Sequence, residues 1–233
     1  IWTKNKQSCL LCAEPSESAV PLCGPCESEL PWLGGHCTVC AVPLPDSGLV
    51  CGACLKRPPA FERVEAPWRY AFPIDSLITR FKHQARWPLG RLLGELLSHH
   101  LQHAFAEGLP RPDWLLPVPL ASKRLRQRGF NQAEMLADWL AASLALPTQK
   151  HWLQRPQDTA HQQDLDAAAR LRNLRRAFAL DAKAEVRGKH LAVIDDVLTT
   201  GATAEAIAQL LRKAGAARVD IYCLARTPKP GET

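Results

Sequence analysis

Two adjacent carboxylates, Asp195 and Asp196, close the apolar run 191–194, and Thr199, Thr200, Gly201, Ala202 and Thr203 follow. The run reads as a buried strand, and the residues after the loop, 204–211, read as a helix with Ile207, Leu210 and Leu211 inward. Ligands of open α/β sheets bind beyond the carboxyl ends of strands. A helix amino end presents free N–H groups and a positive dipole end, which favours phosphate. Gly201 permits close backbone approach, and the threonine hydroxyls add donors. Two carboxylates would repel a phosphate, but they suit the hydroxyls of a sugar attached to it, or a Mg²⁺ ion. A sugar phosphate satisfies both halves. The stretch has neither the lysine of a P-loop nor the G-x-G-x-x-G of a dinucleotide fold.

A second constellation is metal-like. Eight of the nine cysteines form four Cys-x-x-Cys pairs: Cys9/Cys12, Cys23/Cys26, Cys37/Cys40 and Cys51/Cys54. The pairs repeat with a 14-residue period. Each pair fits a knuckle that aims two thiolates at one tetrahedral zinc, and four thiolates close a structural site. Two zinc ions would use all eight. The competing disulfide framework requires an oxidising compartment, and no secretory signal is visible. The period leaves the pairing open between neighbouring and interleaved pairs. Neighbouring pairs are favoured because shorter loops cost less closure entropy. Each Zn²⁺ with four thiolates adds about −2 charges to a segment that is already formally acidic. That composition favours a structural or partner-docking module over one that grips nucleic acid. Cys223 sits alone in an apolar stretch and reads as core.

The third feature is cationic. Lys123, Arg124, Arg126 and Arg128 lie between a short strand at 114–118 and a helix starting near Asn131. Asn131 with Glu134 three residues on resembles a capping box. Cations just beyond a strand's carboxyl end could hold a polyanion, or could form a solvated basic turn. Upstream, the proline-rich stretch 55–72 reads as a connector. Ile74, Leu77, Ile78 and Phe81 then fall at helical spacing. Trp87-Pro88 starts a second helix, whose apolar face runs from Leu89 to Phe105 and whose His99, His100 and His103 read as solvated. Residues 148–153 could add a strand. The polar stretch after Arg155 reads as a mobile loop leading into a helix. Arg218 to Leu224 is another strand. A βαβ unit of this kind calls for a parallel sheet with helices on its faces.

The totals agree. The 233 residues suffice for one ordinary domain plus a small appendage, read as 1–60 and 61–233. Net charge is +6, while residues 1–60 hold four Lys/Arg against five Asp/Glu. The positive charge therefore belongs to the larger part, as suits an anionic ligand. No apolar run approaches the ~20 residues needed to cross a bilayer. The expectation is a cytoplasmic protein with no membrane insertion.

The stretch 193–203, Val-Ile-Asp-Asp-Val-Leu-Thr-Thr-Gly-Ala-Thr, resembles the phosphoribosyl-pyrophosphate (PRPP) motif of type I phosphoribosyltransferases. "PVPL" at 117–120, "RQRGFNQAEMLA" at 126–137 and the spacing of Thr159, Gln162, Arg170, Asn173 and Phe178 resemble the ComF/GntX family. The cysteine pairs are similar to that family's amino-terminal double zinc ribbon. The resemblance implies a type I phosphoribosyltransferase-like sheet behind a zinc-ribbon module. It implies that Asp195 and Asp196 hold the ribose hydroxyls and that residues 199–203 grip the 5′-phosphate. It places Lys123, Arg124 and Arg128 at pyrophosphate, with Arg170 and Asn173 on a loop, 155–173, that covers the site. Mg²⁺-dependent phosphoribosyl transfer to an unidentified acceptor, in DNA uptake or nucleotide salvage, is the first functional expectation. A non-enzymatic PRPP sensor or single-stranded-DNA-binding factor is the second. A protein partner docked on the zinc module is compatible with both.

Overall fold

The computed structural model describes residues 7–156 and 177–228. Two short strands, β1 (Gln7–Ser8) and β2 (Pro15–Ser16), and two one-turn helices, α1 (Gly24–Ser28) and α2 (Gly52–Lys56), frame the cysteines. Next come β3 (Arg63–Glu65), β4 (Trp68–Arg69), α3 (Ile74–Gln84), α4 (Trp87–Ala106) and β5 (Trp114–Pro117). They are followed by α5 (Ser122–Arg128), α6 (Gln132–Leu144), β6 (Leu153–Gln154) and β7 (Ala179–Leu180). The chain then forms β8 (His190–Ile194), β9 (Val197–Leu198), α7 (Ala202–Lys213), β10 (Arg218–Tyr222) and β11 (Ala225–Arg226).

The main sheet has the order β3-β10-β8-β5, and every pairing in it is parallel. Central strand β8 is apolar on both sides from Leu191 to Ile194, as a parallel sheet covered by helices demands, while β10 sets the buried Asp220 among apolar residues, paired with Arg218 and His190. Alternation sends Ala192 and Ile194 into a core shared with α3, α4 and α6. Leu191 and Val193 enter the opposite core with Ile207, Ala208 and Leu211 of α7. The crossover from β8 through α7 to the parallel β10 is the βαβ unit read from the sequence.

A second parallel sheet, β4-β11-β9, extends the first. Each of its strands follows a main-sheet strand after two residues: Ala66-Pro67, Cys223-Leu224 and Asp195-Asp196. A line of two-residue breaks therefore crosses three neighbouring strands. Asp195 N–H still donates to Tyr222 O at 3.0 Å, and Leu224 N–H donates to Asp196 O at 3.0 Å. The break turns the ladder without cutting it, and it presents the two acids at the carboxyl end of β8.

Several readings need correction. The stretch 55–72 is more than a connector, because it supplies β3 as the sheet edge and β4 beyond it. The cationic segment forms a helix, α5, rather than a bare turn. At Asn131 the cap is simple: its side chain accepts from Ala133 N–H at 3.0 Å and donates to Val118 O at 3.0 Å. Glu134 instead lies 3.5 Å from Lys150. His100 is half-buried and bonds Glu65 at 3.0 Å, so it is not on a solvated face. Cys223 is fully buried, as expected.

The zinc-ribbon segment packs into these cores. Val20, Leu22 and Leu30 join Trp68, Ile74 and Leu77. Ala41 joins Phe61 and Val64. Two close helix approaches also stand out. A Cβ on Gly90 of α4 would lie 2.5 Å from the Phe81 ring of α3, and one on Gly94 would lie 3.0 Å from Trp139 of α6.

Candidate functional site: two acids, a threonine loop and a cationic cavity

Asp195 and Asp196 lie where the sheet breaks, and they are not equivalent. Asp195 Oδ1 accepts the N–H of Asp196 at 2.8 Å. Burial pushes the Asp195 carboxyl up to about 6, against the opposing pull of Lys82. Asp196 is 4% exposed, and its Oδ2 lies 2.7 Å from Lys82 Nζ. Lys82 is the residue that sequence reasoning missed. It comes from the last turn of α3, beside the buried Phe81, and burial lowers its amine to about 8. Asp195 opposes that fall, and the nearby Arg128 and Arg124 reinforce it.

The loop after β9 opens α7. Gly201 is the N-cap at φ +78°, a left-handed conformation that glycine adopts at no steric cost. Thr199 and Thr200 are exposed, and Thr200 Oγ1 accepts the N–H of Ala202 at 3.3 Å. Thr203 lies in the first turn of α7. The following helix runs for 12 residues, and its first-turn N–H groups after that of Ala202 have no partner within the helix.

Lys82 also lines a cavity of about 470 Å³, together with His83, Ala85, Arg124, Gln127, Arg128 and Phe130. Helix α5 brings Arg124 and Arg128 to it. Phe130, just beyond α5, stacks near Phe81 with centroids 5.6 Å apart and fixes this segment against α3. Arg128 donates to Gln132 Oε1, which orients its guanidinium. Lys123 is exposed on α5 and does not line the cavity. Arg170 and Asn173 lie outside the described residues. Lys82 thus links the carboxylates to a cavity that carries three cations, and the same carboxylates begin the segment that leads through β9 to the amino end of α7. These donors fit a sugar with an anion at each end. The paired carboxylates also have the chemistry to hold Mg²⁺.

The eight cysteines gather into two groups: Cys9, Cys12, Cys23 and Cys26, then Cys37, Cys40, Cys51 and Cys54. In each group the sulfurs lie within 4.8 Å of one another. Neighbouring pairs therefore share a site, as loop closure favoured. The Cys12–Cys23 and Cys40–Cys51 sulfur separations are 3.6 and 3.7 Å. A tetrahedral zinc with Zn–S near 2.3 Å requires sulfurs about 3.8 Å apart. Backbone N–H groups of Leu11 and Cys51 donate to Cys9 and Cys37 Sγ at 3.4 and 3.2 Å. Desolvation opposes ionisation of these two thiols. Backbone N–H groups from Cys23, Cys12 and Leu11 nonetheless bring Cys9 down to about 6, and those from Cys40, Cys51 and Val39 bring Cys37 down to about 7. Four sulfurs gathered at this spacing in each group fit two structural zinc ions.

Known proteins share these features. Residues 6–55 match the double zinc ribbon domain, and residues 126–232 match the phosphoribosyl transferase domain. The DNA utilization protein YhgH of Salmonella typhi is 37% identical, covering 94% of this chain and 96% of that protein. YhgH of Escherichia coli K12 is 40% identical, over 82% of this chain and 84% of its own. Competence protein F of Haemophilus influenzae is 35% identical, over 88% and 85%. With a double zinc ribbon ahead of a phosphoribosyltransferase domain, and relatives matched nearly end to end, this chain belongs to the ComF/GntX family.

Proposed function

We propose that the protein binds PRPP with Mg²⁺ and transfers its phosphoribosyl group to an acceptor, in a role tied to the use of DNA taken up by the cell. The observation that carries this reading is the contact of Lys82 with Asp196, which joins the acids ahead of the Gly201-capped helix to the cavity that Lys82 lines with Arg124 and Arg128. Residues 199–203 would cradle the 5′-phosphate, and the acids would engage the ribose hydroxyls. Lys82, Arg124 and Arg128 would hold the pyrophosphate. Mg²⁺, held by the carboxylates and substrate oxygens, would supply charge neutralisation.

The chemistry follows from charge. Breaking the bond at the anomeric carbon builds positive charge on the sugar and negative charge on pyrophosphate. The carboxylates stabilise the first and the cations of the cavity stabilise the second. The names of the relatives support the DNA-linked setting. The test is a calorimetric comparison of PRPP with ribose 5-phosphate, both with Mg²⁺. PRPP is expected to bind at least about tenfold more tightly, and Arg128→Ala is expected to collapse that ratio. Equal affinities in the wild type would refute the pyrophosphate assignment.

A second reading, a PRPP sensor or single-stranded-DNA-binding factor without transferase activity, draws on the exposed cations Lys123 and Arg126 of α5. It expects oligonucleotide binding that weakens steeply with salt, with a slope that falls when these two are replaced by alanine.

A further inference from the structure

Arg226 on β11 is 7% exposed, and its guanidinium donates to four backbone carbonyls. Nε reaches Cys40 O at 2.9 Å, and Nη1 reaches Leu198 O at 3.0 Å, Thr227 O at 2.6 Å and Thr199 O. Cys40 belongs to the second cysteine group, while Leu198 and Thr199 lead into the threonine loop. One side chain therefore grips the metal knuckle and the phosphate cradle together. A second tie runs alongside it: Glu205, in the first turn of α7, accepts the N–H of Ala60 at 2.8 Å. Between the knuckle and the loop lies a cavity of about 550 Å³, bordered by Cys54, Pro58, Phe61, Thr200 and Ala202. The cavity interrupts the side-chain packing here, and the polar ties bridge the seam beside the apolar cluster that holds Ala41 and Leu198.

Peptide planarity gives the grip a direction. A trans peptide points its N–H opposite to its carbonyl. With the Leu198 and Thr199 carbonyls turned onto Arg226, the N–H groups of Thr199 and Thr200 point away from it. We propose that Arg226 is a positioning residue that orients the cradle from the second cysteine group. Metal in that group and a ribose 5-phosphate on the loop then bind cooperatively. The proposal rests on residues 199–203 being the phosphate cradle. Such coupling is reciprocal, so the sugar phosphate must also strengthen metal retention.

The experiment follows zinc release from the full zinc-loaded chain to a chelating chromophore, with and without ribose 5-phosphate. Two release phases are expected, and Cys12→Ser removes the one that belongs to the first group. Saturating ribose 5-phosphate should slow the remaining phase by about 5-fold or more and leave the first unchanged. Arg226→Lys should abolish the slowing. The wild-type comparison stands whether or not that variant folds. If ribose 5-phosphate binds yet alters neither phase, or both equally, the proposal is overturned. If the wild type binds no ribose 5-phosphate, the functional reading falls instead. The tie is then read without ligand: faster release from the second group alone in Arg226→Lys sustains it, and equal rates overturn it.

Discussion

Asp195 holds its proton up to about pH 6, whereas an unfolded aspartate loses it near 3.8. Between those values the native state binds more protons than the unfolded one, so stability falls as pH rises through that window. Above it the ionised carboxylate costs up to about 3 kcal/mol. Asp195→Asn keeps an acceptor for the Asp196 N–H and removes the charge. It is expected to raise thermal stability at pH 7, by about 1–3 kcal/mol, while abolishing PRPP binding. Calorimetry and thermal melts of one sample check both outcomes, and a variant that is less stable yet binds normally contradicts the assignment. The same titration sets the pH dependence of binding. With ionised Asp195 engaging the ribose, PRPP affinity of the wild type should fall as pH drops below about 6. Lys82 gives a third prediction. Lys82→Met leaves Asp196 buried without its cation, at a cost of about 3 kcal/mol in denaturant titrations. It should also weaken PRPP more than ribose 5-phosphate.

At the scale of elements, the site depends on how β9 hands over to α7. Gly201 has open space around its missing Cβ but a φ of +78°, so Gly201→Ala meets backbone strain and no clash. It should cost about 1 kcal/mol in stability and weaken ribose 5-phosphate several-fold. A variant with unchanged affinity would remove the loop from the site. This element was legible in advance, because an apolar run, two acids, hydroxyls and a glycine each imply their own backbone geometry. The same holds for the eight cysteines, whose spacing carried the chemistry. Other elements were not legible. Strands β3 and β4 are three and two residues long and are separated by Ala66-Pro67, so no period-2 pattern could build up. Helix α5 buries none of its residues, so it leaves no apolar stripe. Lys82 looked like any lysine on an amphipathic helix, because only the tertiary fold brings it to Asp196. Arg226 gave no local signal either, since its partner Cys40 lies 186 residues away.

At the scale of the whole molecule, the zinc-ribbon segment is built into the rest of the fold. Leu22 and Leu30 share a core with Trp68 and Ile74, and Trp32 packs on Trp68 with centroids 5.7 Å apart. Removing zinc should therefore lower the melting temperature of the entire chain by several degrees and change its near-ultraviolet tryptophan signal. A chelated protein that melts as before would contradict that integration. No helix among the described residues is long and apolar enough to cross a membrane. The basic charge lies in the larger part of the chain, where Arg124 and Arg128 share a cavity with Lys82, the partner of Asp196. The central claim is that this convergence is a PRPP site. Its most direct test is calorimetric titration of PRPP with Mg²⁺ into the zinc-loaded wild type and into the Asp195→Asn/Asp196→Asn double variant. The wild type should bind saturably and the folded double variant should not bind. Equal affinity in the two proteins, or no binding by a folded wild type, would contradict the claim.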